Sequence, residues 1–249
     1  AAVTIALDNT AQTATGITRV DISAVTQSTG NVVDASEFTS TSTSLMLRGS
    51  ATGVTTLTGG AGSDTLIGGA GADIFNGGTG ADVISGQAGA DTIGGDSGAD
   101  TIIGGAGADV ITGGAGADII NGGSDNDTFI YLATADLVVA NALVDKLTGG
   151  GGTDSIVINN NDGTSFTLAS TDLIEARMSG VEQIVVAGAS DQIISIIASD
   201  GLFEAGLTII DLSADTDATA DNVIDVSNDD TGANAWTLTG SAGIDAITG

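Results

Sequence analysis

The chain has 249 residues, of which 39 are Gly, 32 are acidic and only four are basic (Arg19, Arg48, Lys146 and Arg177), so its formal charge is −28. Such a charge repels phosphate backbones and anionic bilayer surfaces, which excludes nucleic acid as a partner. With no His and no Cys, the triads and most nucleophiles of hydrolytic and transfer enzymes are absent, and no disulfide can staple the fold.

Of the acids, 28 are Asp and four are Glu (Glu37, Glu175, Glu182, Glu204). Asp favours turns where Glu favours helices, which places the acidity in turns. A hydrophobic content of 41% with positive mean hydropathy argues against disorder. No apolar run reaches the 18 residues of a membrane span, so no membrane insertion is expected. The segment Ala1 to Asp8 lacks the basic and apolar regions of a secretory signal.

Residues 1–58 read as strand-forming sequence that leads into the most regular part of the chain. From Gly59 to Ile130 the sequence divides without gaps into eight nonapeptides: GGAGSDTLI, GGAGADIFN, GGTGADVIS, GQAGADTIG, GDSGADTII, GGAGADVIT, GGAGADIIN and GGSDNDTFI. The sixth position is always Asp (Asp64, Asp73, Asp82, Asp91, Asp100, Asp109, Asp118, Asp127). The eighth is always large and apolar (Leu66, Phe75, Ile84, Ile93, Ile102, Ile111, Ile120, Phe129).

Glycine permits backbone angles closed to other residues, so six positions can turn tightly while the last three form a short strand. In that strand the eighth side chain points inward and the seventh and ninth point out. One strand cannot bury its apolar residue alone. Two nonapeptides therefore pair as an 18-residue coil, with odd repeats on one side and even repeats on the other. Stacking brings aspartates of neighbouring coils to about one strand spacing, roughly 5 Å, where like charges repel unless a cation lies between them. Calcium suits a site of carboxylates and bare turn carbonyls, and nothing here favours zinc. A dinucleotide-binding loop would need a strand before and a helix after, and a flexible linker has no reason to keep an apolar column.

The nonapeptide GGxGxDxUx resembles the repeat of the RTX family of calcium-binding, type I-secreted proteins, whose repeat is a known example of this sequence pattern. The departures are Gln87 and Asp96 at position two, and Asp125 and Asn126 in the last copy. The resemblance implies an all-β fold, a parallel β-roll or β-solenoid with calcium in the turns. It implies ligands from the sixth-position aspartates and from carbonyls of the first four positions. Those singled out are Gly59, Ala61, Gly68, Ala70, Gly77, Thr79, Gly86, Ala88, Gly95, Ser97, Gly104, Ala106, Gly113 and Ala115. Four turns per side leave three gaps each, hence roughly six ions.

Residues 131–158 read as a linking segment. A short helix is expected over Thr134–Leu147, followed by a ninth nonapeptide, Gly149 to Val157, whose Asp154 is a candidate calcium ligand. Asp172-Leu173-Ile174-Glu175 has the pattern of a capping box opening another helix. Residues 159–239 contain alternating apolar segments at Glu182–Val186, Leu207–Ile210 and Asn222–Asp225, which are expected to extend the solenoid. Asp215, Asp217 and Asp221 read as a solvated acidic loop, with further calcium binding as the other reading.

A longer repeat is also present. Asp21-Ile-Ser-Ala and Asn31-Val-Val-Asp34-Ala-Ser36 recur as Asp211-Leu-Ser-Ala and Asn222-Val-Ile-Asp225-Val-Ser227, a period of about 190 residues. Residues 240–249 open as a tenth nonapeptide with Asp245 in the sixth position. The expectation is one module of a longer protein. Its Thr, Ala, Gly and Asp bias, 3% aromatic content and long-period duplication resemble the crystalline surface-layer proteins of Caulobacter-type bacteria. That resemblance implies a structural, non-enzymatic protein at the extracellular cell surface. It also implies self-association into a lattice and export by type I secretion machinery. The alternative is the calcium-folded C-terminal domain of a type I-secreted exoenzyme or adhesin.

Overall fold

The computed structural model describes residues 2–7, 17–26, 30–133, 136, 138–139, 142–159, 166–169, 177–188, 194–199, 206–215, 222–228, 236–241 and 246–248. Two compact units divide the chain at Asp127 and Thr128.

The strands of the first unit are β1 (Thr4–Ala6), β2 (Arg19–Asp21), β3 (Asn31–Asp34), β4 (Met46–Arg48), β5 (Thr55–Thr58) and β6 (Thr65–Gly69). They continue as β7 (Ile74–Thr79), β8 (Val83–Ala88), β9 (Thr92–Ser97), β10 (Thr101–Ala106), β11 (Val110–Thr112) and β12 (Ile119–Ser124). Odd-numbered strands pair in order in one parallel sheet and even-numbered strands in a second. This is a parallel β-solenoid, and within the nonapeptide block the register advances by 18 residues per coil.

The eighth-position column closes the core. Leu47, Leu66, Ile84, Ile102 and Ile120 stand in register along one sheet. Val33, Leu57, Phe75, Ile93 and Ile111 stand along the other. All ten are buried. Each is worth about 1.5–3 kcal/mol of transfer free energy, and because every coil adds the same pair, the core grows linearly with the repeats.

The strands are longer than the three residues expected. β7 to β10 each span six residues and include the first three positions of the following nonapeptide. Identical coils in register leave the amides and carbonyls of one turn opposite those of the next. The turn backbone therefore joins the ladder, as where the Thr79 N–H donates to the Gly60 carbonyl at 2.9 Å.

The second unit contains β13 (Thr128–Tyr131), β14 (Val138–Val139), β15 (Ala142–Leu143), β16 (Lys146–Gly151), β17 (Ser155–Ile158), β18 (Phe166–Ala169) and β19 (Met178–Ser179). It ends with β20 (Gln183–Gly188), β21 (Ile194–Ser199), β22 (Ile209–Asp215), β23 (Val223–Asn228), β24 (Thr237–Thr239) and β25 (Ala246–Thr248). β13, β17, β20, β22 and β24 pair in parallel, as do β18, β21, β23 and β25, and β16 pairs with β19. Within this unit the apolar segments at Glu182–Val186, Leu207–Ile210 and Asn222–Asp225 contribute to parallel strands with longer coils than the nonapeptides make: Ser155 meets Gln183, 28 residues on.

The helix expected over Thr134–Leu147 is corrected by the structure. Asp136 is helical, but Val138–Val139 and Ala142–Leu143 pair antiparallel and Lys146 opens a solenoid strand. β-Branched Val138, Val139 and Val144 favour extended backbone, and burial of Leu147 in the stack holds β16 in the ladder. The expected capping box at Asp172–Glu175 lies outside the described residues. Among the described residues no helix is long and apolar enough to cross a membrane.

Candidate metal centre

The sixth-position aspartates stand where the chain leaves each turn and enters a strand. They form two columns, Asp64, Asp82, Asp100 and Asp118 along one edge and Asp73, Asp91, Asp109 and Asp127 along the other. All eight are buried, at 1% exposure. In each column Oδ1 accepts the backbone N–H of the aspartate one coil earlier. The N–H groups of Asp64, Asp73, Asp82, Asp91, Asp100 and Asp109 donate over 2.7, 2.6, 2.7, 2.8, 2.8 and 2.9 Å respectively. The columns begin on uncharged residues, with the N–H groups of Leu45 and Thr55 donating to Asp64 and Asp73.

The second oxygen separates the aspartates. Oδ2 of Asp64 and of Asp73 accept the N–H of Gly60 and Gly69 at 3.0 and 2.8 Å. Oδ2 of Asp82, Asp91, Asp100 and Asp109 is buried without a hydrogen-bond donor. A buried, unsatisfied carboxylate oxygen is costly, and the sequence has no basic residue between Arg48 and Lys146 to neutralise it. Burial first and the charge of neighbouring aspartates second raise the Asp82 carboxyl to about 6 and those of Asp91 and Asp100 to about 7. The backbone hydrogen bonds to Oδ1 act the other way. Asp73 and Asp109 are also raised, chiefly by burial.

The glycines show where Oδ2 points. A methyl group added at Gly77 would stand 2.6 Å from Asp82 Oδ2 and 2.6 Å from the carbonyl oxygen of Gly95 in the next coil. At Gly95 the same construction meets Asp100 Oδ2 and the Gly113 oxygen, each at 2.5 Å, and at Gly68 it meets Asp73 Oδ2 at 2.5 Å and the Gly86 oxygen at 2.6 Å. Gly59, Gly86 and Gly104 repeat the arrangement with the carbonyls of Gly77, Gly104 and Gly122. At these six first positions, then, a carboxylate oxygen and a carbonyl oxygen from successive coils converge on a space kept open by the missing side chain, whereas Gly113 meets the Asp118 carboxylate and an Ile120 methyl instead.

Third-position carbonyls lie in the same turns. Those of Thr79, Ser97, Ala106 and Ala115 accept the N–H of Gly62, Gly80, Gly89 and Gly98 at 2.7–2.8 Å, and each keeps a second lone pair. Ala61, Ala70 and Ala88 hold the equivalent position in their turns. Among the described residues no three carboxylates converge, so a cation here draws on carbonyls as well as on the columns. This hard, all-oxygen donor set fits a divalent cation such as calcium.

Beyond the block the pattern persists in part. Asp154 is buried, and its Oδ2 lies with the Gly180 carbonyl at Gly149 as Asp82 and Gly95 do at Gly77. The Asp154 N–H donates to Glu182 Oε2 at 2.7 Å, so Glu182 takes the place of the next coil's aspartate. Reading by residue type missed Glu182, because the nonapeptide period ends before it. Asp145 also occupies a sixth-type position, buried ahead of Lys146 and the inward Leu147. The two arms of the long-period repeat share local structure: Asp21 and Asp211 each accept the N–H two residues on, at 2.9 and 2.8 Å, and Asn31 and Asn222 are both buried. Asp215 lies in β22. Asp217, Asp221 and Asp245 fall outside the described residues, although the strand that follows Asp245, β25, pairs with β23 and leaves Ile247 half exposed.

No curated protein and no solved structure matches the chain significantly. Three overlapping stretches, 52–84, 70–102 and 94–129, match the family model of the RTX calcium-binding nonapeptide repeat (4 copies). The block that supplies both columns of buried aspartates is thus the part of the chain that matches the RTX calcium-binding repeat.

Proposed function

We propose that the chain is a calcium-binding structural segment of a secreted surface-layer protein, which folds and self-associates into a lattice outside the cell when calcium is bound. The observation that carries this reading is the row of buried, donorless Oδ2 atoms on Asp82, Asp91, Asp100 and Asp109 in a block without a basic residue. Bound calcium supplies positive charge and accepts six to eight oxygen ligands. The chain's own atoms divide the remaining work: Oδ1 holds successive coils in register, and Oδ2 faces the turn carbonyls. Because the columns repel themselves when bare, binding free energy is folding free energy.

Residues 59–130 are the metal-dependent roll, flanked in sequence by the β-solenoid-like strand segments 1–58 and 159–239, and the three gaps in each column give about six ions. Asp154 is a further ligand, supported by its convergence with Gly180. Extracellular modules bind calcium at roughly 10⁻⁴–10⁻³ M, a range that keeps the chain unfolded for type I export and folds it outside. Exposed apolar side chains on the outer strand faces, Ile74, Val83, Ile103 and Ile119, support self-association.

The test is circular dichroism across a calcium titration, paired with electron microscopy of the calcium-loaded protein. The expected result is a cooperative gain of β signal and ordered sheets. An unchanged β signal under chelation would sink the folding role, and dispersed particles would sink the lattice.

A further inference from the structure

Asp145 occupies the position of a sixth-position aspartate. Asp145-Lys146-Leu147-Thr148-Gly149-Gly150 follows the same pattern as Asp118-Ile119-Ile120-Asn121-Gly122-Gly123, with Asp145 and Leu147 both buried at 1% exposure. Its surroundings differ from those of the block. The Tyr131 hydroxyl, also buried, donates to Asp145 Oδ2 at 2.8 Å. Lys146 is adjacent in sequence, and the Arg177 guanidinium donates to the carbonyl of Val144, the residue before Asp145, at 2.6 Å. These are the two basic residues of the second unit, one adjacent to Asp145 in sequence and the other bonded to the backbone of the residue before it.

In the block, the corresponding oxygen of Asp82, Asp91, Asp100 or Asp109 has no donor and no basic side chain within its sequence neighbourhood. We propose that Tyr131 is a specificity-determining residue that closes the Asp145 rung to calcium, its hydroxyl occupying the oxygen that in Asp82, Asp91, Asp100 and Asp109 is left bare. A buried Asn achieves a comparable result at another rung. Asn31 accepts the Val3 N–H through Oδ1 at 3.2 Å and donates from Nδ2 to the Val54 carbonyl at 3.3 Å, so that rung needs no ion. A rung's own chemistry, rather than the presence of a buried Asp, thus decides where the metal array extends.

This inference rests on the calcium reading of the block, and the experiment separates the two. Bound calcium is counted by elemental analysis of the full chain after equilibration and gel filtration, for the wild type, Asp145→Asn, Tyr131→Phe and Asp100→Asn. Asp100→Asn is expected to lose about one ion or more, since each inner carboxylate serves its neighbours; an unchanged count there overturns the calcium reading itself. Asp145→Asn is expected to keep the wild-type count, and a loss of about one ion would overturn the proposal. Tyr131→Phe is expected to bind as many ions as the wild type or more, and fewer ions would overturn the proposal by making the Asp145 rung a site that Tyr131 supports. Should Tyr131→Phe fail to fold, Asp145→Asn, which can still accept the phenolic hydrogen bond, decides the matter alone.

Discussion

The backbone N–H of Asp91 donates to Oδ1 of Asp109 at 2.8 Å, while Oδ2 of the same carboxylate receives no hydrogen bond. One side chain thus does two separable jobs, and substitution can divide them. Asp109→Asn keeps an acceptor for Asp91 and replaces the bare oxygen with an amide, whereas Asp109→Ala removes both. In chelator at about pH 4.5, where the upward shift of the buried Asp109 carboxyl favours its neutral form, the Asn variant should melt near the wild type and the Ala variant should lose about 1–3 kcal/mol. Indistinguishable melts for the two variants would mean that Oδ1 contributes nothing to the register.

Acid should replace metal. The carboxyls of Asp82, Asp91 and Asp100 are raised to about 6, 7 and 7 in the fold, above the ordinary carboxylate value. Between the ordinary and the raised values the native state holds more protons than the unfolded state, so stability falls as pH rises. The metal-free fold is most stable below about pH 4 and loses that stability as pH climbs through 6 to 7. Thermal melts in chelator should show the midpoint dropping over this interval, and melts in saturating calcium should be far flatter. A midpoint that rises with pH in chelator would contradict the burial argument.

Glycine at the first position is demanded by the metal-facing space. A methyl at Gly77 would meet Asp82 Oδ2 and the Gly95 carbonyl at 2.6 Å, whereas one at Gly94 finds nothing nearer than 3.7 Å. Gly77→Ala should cost about 1–3 kcal/mol by overpacking and should also weaken calcium binding. Gly94→Ala should stay within about 0.5 kcal/mol of the wild type, as an outward strand position. Isothermal calorimetry and melts on the pair check both halves; equal behaviour would remove the first-position cradle from the site.

Three turns of the block hold a non-glycine residue at positive φ, at Gln87, Asp96 and Asp125, and substitution can relieve the strain one turn at a time. Gln87 and Asp96 replace second-position glycines and hold φ at +80° and +69°, the left-handed region. Such backbone costs about 1–2 kcal/mol in a residue with a Cβ. Gln87→Gly is therefore expected to raise the melting midpoint in calcium, net of the extra unfolded-state entropy of glycine. A lowered midpoint would show that the Gln87 side chain, which donates to Ser85 Oγ at 2.9 Å, outweighs the strain.

The parts of this fold that repeat were legible in the residues. Constant Asp and constant apolar columns nine residues apart define which side chains face inward, and Leu66, Ile84, Ile102 and Ile120 stand as that spacing requires. The division of labour within each carboxylate was not legible, because which oxygen meets an amide depends on the stacking of whole coils. Glu182 escaped for a related reason: its coil returns after 28 residues, and no short period points to it. Asp145 was hidden because Ala140 to Val144 lacks the glycines that mark a turn, and the same Leu- and Val-rich stretch suggested a helix where the chain forms the antiparallel pair β14 and β15 and then enters β16.

The amide-to-carboxylate bonds of the columns all run in one direction: the donor belongs to the earlier coil and the acceptor to the later. Each turn is thus finished only by its successor, and the opening turns at Leu45 and Thr55 need no acid of their own to begin. The ladder therefore has a head and a tail: a coil removed from its carboxyl-terminal end leaves buried amides without an acceptor, whereas one removed from its amino-terminal end leaves carboxylate oxygens without a donor.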